Sequence, residues 1–164
     1  MREHLRLIEK KGFVHRTPGR SRALVVVRPD GHLDHDLVRV PLLGRIPAGD
    51  PAVAIEDTEA LLSFPAFLFS GSRLFALRVR GSSMKGAGIF DGDIAVLDAR
   101  SEVADGTIAA VLIEDETTLK RIYRRASGLL LKAENPAVRD IKLSPIEAEH
   151  ARVVGVLVGV VRKV

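Results

Sequence analysis

Hydrophobic and polar positions follow a period close to two along much of the chain after residue 70. Phe75, Leu77 and Val79 interleave with Ala76, Arg78 and Arg80, the register of a half-buried β-strand. Ile94 to Leu97 and Ile108 to Ile113 are short apolar runs, and Glu114-Asp115-Glu116 makes a charged turn into Thr117 to Tyr123. Gly128 precedes a strand from Leu129 to Lys132, and Val153 to Val161 closes the chain. Strands recurring this often without helices between them predict an all-β or mainly β domain with a partly closed sheet over residues 41–164. The last strand suits either a dimer edge or the centre of a core.

The start of the chain has a different pattern. Leu5 and Ile8 share one face of a helix over residues 2–11, and Gly12 stands where a C-terminal cap belongs. Two β-type runs, Phe13 to Arg16 and Ala23 to Val27, flank the turn signal Thr17-Pro18-Gly19-Arg20. Helix, strand, turn and strand form the back half of a winged helix, so residues 1–27 are expected to be a partial DNA-binding module. One of the two helices that a helix-turn-helix needs in front of its wing is missing. Residues 28–40 are polar, carry the turn signal Asp30-Gly31 and lack helical periodicity, which predicts a linker.

Charge sharpens this division. The 164 residues carry 25 Lys and Arg against 21 Asp and Glu, a net charge of +4. Residues 1–28 hold eight of the basic residues against only Glu3 and Glu9, so the basic excess belongs to one end. Such a cluster on a small module is the usual footprint of a phosphate-binding surface, although a solvated helix face has the same composition. In a wing, Arg16, Arg20 and Arg22 would lie along DNA phosphates, with Arg2 beside them, and would position the protein without reading sequence. Hydrophobic residues at 46% supply enough material for a packed core. The absence of cysteine excludes disulfides, thiolate metal sites and a cysteine nucleophile. No signal-peptide core is evident, and Val153 to Val161 is far short of the ~20 residues that span a bilayer, so a cytoplasmic protein is expected. His32, Asp34, His35 and Asp36 have metal-ligating side chains, but adjacent residues of this kind in a polar linker are usually just solvated, and no metal site is assigned.

Two serines stand at a sharp turn, Gly81-Ser82-Ser83-Met84-Lys85-Gly86. The arrangement satisfies the S-x-x-K pattern of penicillin-binding proteins, but Gly86 and Gly88 make a poor helix and the partner motifs are missing, which excludes that reading. A serine nucleophile needs a base. Four of the five histidines lie in the first 35 residues and His150 stands in a polar stretch, so no histidine is obviously placed. A lysine can serve if burial lowers its pKa. Lys120 sits inside a strand on the face of Thr118 and Ile122, whereas Lys10, Lys11 and Lys163 are in charged terminal contexts. The alternative is that Lys120 points into water beside Arg121.

Several segments, in order and spacing, resemble the LexA repressor family. They are Gly44-Arg45-Ile46-Pro47-Ala48-Gly49-Asp50-Pro51, Val79-Arg80-Gly81-Ser82-Ser83-Met84-Lys85, Gly88-Ile89-Phe90-Asp91-Gly92-Asp93, Thr117-Thr118-Leu119-Lys120-Arg121 and Glu134-Asn135. The resemblance implies a β-rich Ser-Lys peptidase domain of the kind shared with signal peptidases, fused to an operator-binding winged helix and working without a cofactor. It implies Ser83 as nucleophile, Lys120 as general base, Ala48-Gly49 as the bond cut in the chain itself, and Ile46 as an anchor for the cleavage loop. The backbone N–H of Ser83 and a neighbouring amide would hold the oxyanion, and Asp91 and Asp93 read as turn residues around Gly92. A homodimer would bind operator DNA of DNA-damage genes, and the RecA filament on single-stranded DNA would stimulate self-cleavage. Family members carry two helices and the start of the recognition helix before the segment matching Arg2 to Leu5, so the chain is expected to be truncated at its N-terminus, with operator reading weakened or lost. The alternatives are a UmuD-like polymerase accessory factor that cuts itself without binding DNA, a membrane-anchored leader peptidase, and a sensory repressor that does not cut.

Overall fold

The computed structural model describes residues 14–16, 24–26, 37–44, 46 and 58–163. Among them the protein is mainly β, with eleven strands and one short α-helix. Strands β1 (Val14–Arg16) and β2 (Leu24–Val26) form a separate antiparallel pair with Val14 opposite Val26. This pair matches the expected wing hairpin. The preceding helix over 2–11 and the turn at 17–20 lie outside the described residues, as do His32, Asp34, His35 and Asp36.

The remaining strands form one nine-stranded sheet. They are β3 (Leu37–Leu43), β4 (Thr58–Pro65), β5 (Leu74–Arg78), β6 (Ile94–Asp98), β7 (Ile108–Ile113), β8 (Glu116–Arg125), β9 (Gly128–Lys132), β10 (Ile141–Leu143) and β11 (Ala151–Val161). Their order is β10-β9-β8-β7-β11-β6-β5-β3-β4, with β3 parallel to β5 and antiparallel ladders from β5 through to β10. The ladders do not close the sheet. Enclosure comes from the two sides of β7, which both face cores. Ala110 packs with Leu43, Phe75, Ala95, Leu97 and Val154, and Ala109 and Val111 pack with Ile122, Leu129, Leu131 and Val156. A strand buried on both faces has no use for polar alternation, which is why β7 reads as the unbroken run IAAVLI.

β11 joins the two halves of the sheet. Its residues 151–156 pair with β7 and its residues 156–161 pair with β6. Register shifts between Val153 and Gly155 and between Leu157 and Gly159 let it change neighbours, because a bulge bends and twists the strand that carries it. A Cβ at Gly155 would come within 2.7 Å of the Phe75 ring, and one at Gly159 would collide with the Phe69 ring. β11 is therefore core at Val154 to Val156, and the side of Leu157 to Val161 away from β6 lies beyond the end of the β7 ladder.

Three strands and the helix went unread in the sequence. β3 begins at Leu37, inside the stretch expected to be linker, because Leu37-Val38-Arg39-Val40 continues into Pro41-Leu42-Leu43 with Val40, Leu42 and Leu43 buried. β4 has no fully buried residue, so its composition carries little periodic signal, and β10 has only three residues at the sheet edge. The helix Pro145–Glu149 does have a sequence signature, Ser144-Pro145-Ile146-Glu147. The Ser144 hydroxyl accepts from the Glu147 N–H and the Glu147 carboxylate accepts from the Ser144 N–H. Gly155→Ala is expected to lower stability by about 2 kcal/mol through overpacking against Phe75. The reading is a drop in the urea midpoint at unchanged slope.

Candidate active site

The turn at Ser82-Ser83 is built by hydrogen bonds that fix its two ends. As the chain leaves β5, the Val79 N–H donates to the Asp93 carbonyl at 2.8 Å and the Gly92 N–H donates back to the Val79 carbonyl at 3.0 Å. Gly81 adopts φ +82°, a left-handed conformation that favours glycine, and its N–H donates to Asp91 Oδ1 at 2.7 Å. Met84 is buried, a 3₁₀ turn runs over Lys85–Ala87, and Gly88 at φ +77° ends it. Ser83 is thus presented between a buried anchor and a strand end.

Asp93 departs from the expected role of a turn residue. It is 1% exposed, and its carboxylate accepts from Arg162 Nε at 2.6 Å, from Arg162 Nη2 at 2.7 Å and from the Phe90 N–H at 2.7 Å. The Arg162 hydrogen bond holds its pKa below the usual carboxylate value against the opposing effect of burial, and the Phe90 amide adds to the lowering. Arg162 also donates to the Gly88 carbonyl at 2.8 Å and lies over the Phe90 ring. No sequence signal links Arg162 to a loop some 70 residues earlier; the contact exists only in the fold. Asp91 does act within the turn, through Gly81.

Lys120 stands in β8 opposite the fully buried Ala109 of β7 and is itself only 5% exposed, so it does not point into water. Its Nζ lies 2.9 Å from Ser83 Oγ, 2.8 Å from Thr118 Oγ1 and 3.1 Å from the Leu119 carbonyl. No carboxylate is among these partners. Burial lowers the pKa of Lys120 below the ordinary lysine value, because desolvation disfavours the ammonium form. Arg121, one residue on, turns to the other face and donates to Glu134 Oε1 at 2.6 Å.

Ser83 opens into a cleft of about 750 Å³ whose walls include Leu43, Ile46, Leu77, Val79, Leu97 and Leu119, with Glu59, Asp115 and Glu116 among its polar residues. Ile46, the expected loop anchor, therefore lines the same cleft as Ser83 and packs against the first core. Ala48 and Gly49 lie outside the described residues, as do Arg2, Arg20 and Arg22, while Arg16 ends strand β1. Glu134 and Asn135 belong to the family resemblance but have no role legible in the sequence. In the structure the Glu134 N–H donates to the Ser83 carbonyl at 2.8 Å, and Asn135 Nδ2 donates to the Ser82 carbonyl at 2.9 Å.

A mainly β fold presenting a serine hydroxyl to a cleft, with a buried amine 2.9 Å from it, is the arrangement of a serine peptidase, and residues 41–158 match the Peptidase S24-like family. The whole chain is similar to LexA repressors. It is 35% identical to that of Caldicellulosiruptor saccharolyticus over 160 residues, covering 98% of this chain and 77% of the relative. It is 37% identical to that of Clostridium botulinum, with the same coverages, and 34% identical to that of Desulforamulus reducens, covering 98% of this chain and 80% of the relative. The chain belongs to the LexA repressor family. Among the described residues no helix is long and apolar enough to cross a membrane.

Burial of Lys120 has a consequence for stability. Between its lowered folded pKa and the unfolded value of about 10.4, the unfolded chain binds a proton that the folded chain does not. Stability therefore rises with pH through that window and is lost as pH falls toward the folded pKa. Measured against Lys120→Met, whose side chain does not titrate, wild-type protein should gain melting temperature as pH climbs toward 10, the window set by that same unfolded value. A constant difference would mean that the amine stays hydrated.

Proposed function

We propose that this protein is a repressor of DNA-damage genes that inactivates itself by cutting the Ala48-Gly49 bond, with Ser83 as nucleophile and Lys120 as general base. The observation that carries this reading is the 2.9 Å contact between Lys120 Nζ and Ser83 Oγ in a buried setting. A neutral amine has two N–H donors and one lone pair. Thr118 Oγ1 and the Leu119 carbonyl match the two donors, and the Ser83 O–H matches the lone pair. Lys120 then takes the Ser83 proton as Oγ attacks the Ala48 carbonyl carbon. The ammonium so formed returns that proton to the Gly49 nitrogen as the peptide bond breaks. Water, deprotonated by the same amine, releases Ala48 as a carboxylate and restores Ser83.

The local geometry supports this sequence of steps. The amides of Lys85, Gly86, Ala87, Gly88 and Ile89 are already committed to carbonyls, so the oxyanion donors belong to the preceding residues of the turn, the Ser83 amide with a neighbouring one. Ile46 lines the same cleft as Ser83, and Ala48 follows it by only two residues, about 7 Å of extended chain. Small residues at Ala48 and Gly49 allow the close approach that attack requires.

In this reading residues 1–27 are the DNA-binding part, with Arg2, Arg16, Arg20 and Arg22 at phosphates of operator DNA. Residues 28–40 lead into a peptidase and dimerisation domain over 41–164. Residues 157–161 of β11, paired with β6 on one side, supply an edge for a second copy. Cutting after Ala48 separates the DNA-binding part from the dimer and removes the avidity of two linked half-sites, which can reach ~10²-fold or more. The RecA filament on single-stranded DNA stimulates the cut in the cytoplasm.

Purified protein incubated at alkaline pH should yield a fragment ending at Ala48, identified by mass, while Ser83→Ala stays intact. The rate follows the neutral fraction of Lys120, so it should climb with pH and level off below about 10.4, the ordinary lysine value. No product ending at Ala48, or a rate independent of pH across the alkaline range, would overturn the assignment.

A further inference from the structure

Ser83 and Lys120 come from separate elements 37 residues apart, so their 2.9 Å contact needs a brace between the turn and strand β8. Glu134, just after β9, touches both. Its N–H donates to the Ser83 carbonyl at 2.8 Å and its carbonyl accepts from the Gly86 N–H at 2.5 Å, gripping the turn on either side of the buried Met84. A Cβ at position 86 would collide with the Glu134 carbonyl, so the grip requires Gly86. The Glu134 carboxylate accepts from Arg121 Nε at 2.6 Å, and Arg121 Nη1 donates to the Gly106 carbonyl at 2.5 Å. Arg121 directly follows Lys120 and pairs across the ladder with Ile108 on β7 and Lys132 on β9.

From this geometry we infer that Glu134 and Arg121 are a positioning pair for the cleavage reaction. Glu134 holds the Ser83 turn through its backbone and the Lys120 strand through its side chain, setting the separation of nucleophile and base. The inference rests on the reading that Ser83 and Lys120 cut the chain. Two magnitudes distinguish positioning from a purely structural role. The ion pair is partly exposed, with side-chain exposures of 28% and 23%, and such pairs contribute little to global stability. Reacting groups displaced by about 1 Å lose on the order of 10² in rate. Loss of the pair should therefore show in the rate far more than in the melting temperature.

The test measures self-cleavage of the full chain on its alkaline plateau, together with thermal melting, for wild type, Glu134→Ala, Arg121→Ala, the double variant and Glu134→Gln. The backbone contacts of Glu134 survive in every variant. Each alanine variant is expected to slow cleavage by roughly 10- to 100-fold, with melting changed by only a few degrees. The double variant should be no slower than the slower single one, because the two side chains act as one unit. Glu134→Gln, which keeps an oxygen to accept from Arg121, should recover most of the lost rate. Wild-type rates in Glu134→Ala or Arg121→Ala, rate losses that multiply in the double variant, or a Glu134→Gln variant as slow as Glu134→Ala would each overturn the inference. Wild-type protein that stays intact would instead remove the Ser-Lys reading and this inference with it.

Discussion

The lysine amine of Lys120, set against the fully buried Ala109 of strand β7 with no carboxylate among its partners, is the constraint on which the site depends. Taking an ammonium out of water without a counter-ion is costly, and a lysine so placed resolves that cost by favouring its neutral form. Each partner of Nζ is a neutral oxygen, which suits an amine that both donates and accepts. The two cores on either side of β7 exclude water from the strand directly across from it. The unbroken apolar run of β7, which does nothing chemical itself, thus contributes to the burial that lowers the pKa of the residue opposite.

A buried amine is useful only if the hydroxyl is held beside it, and the turn carrying Ser83 is tied down on three sides. The end of β5 and the Gly92-Asp93 segment hydrogen-bond to each other, Glu134 and Asn135 hold the turn from the β9 side, and Arg162 reaches from the end of β11 to Asp93 and Gly88. Asp93 and Lys120 are the two charged residues buried among those described, and the fold treats them oppositely. Asp93 receives a guanidinium and one further donor, the Phe90 N–H, and its pKa is lowered. Lys120 receives uncharged oxygens alone. The first arrangement suits a structural anchor, the second a base.

Much of this was legible in the sequence. Alternation in β5 and β8, apolar runs in β6, β7 and β11, and the turn residues between strands located β5, β6, β7, β8, β9 and β11 to within about two residues, because strands that face a core carry apolar side chains. Thr118, Lys120 and Ile122 fell on one face by the same rule. β3, β4 and β10 were missed for different reasons. The polar stretch ahead of β3 masked its start, β4 buries no residue fully, and β10 is too short to show a period. The capping box before the short helix was visible in Ser144-Pro145-Ile146-Glu147 and went unread.

The sequence by itself determined the residue types, their order and the local conformations: a glycine-bracketed serine turn, a lysine within a strand, and apolar runs long enough for a mainly β core. It left open whether Lys120 faced water, whether Val153 to Val161 was edge or centre, and what Asp93, Arg121, Glu134 and Arg162 do. Those answers depend on contacts between residues far apart in the chain, from 13 positions for Arg121 and Glu134 to 69 for Asp93 and Arg162. Local pattern encodes which face of a strand a side chain occupies. Only the tertiary structure decides what covers that face, and burial by distant elements is what separates a solvated lysine from one whose pKa is lowered.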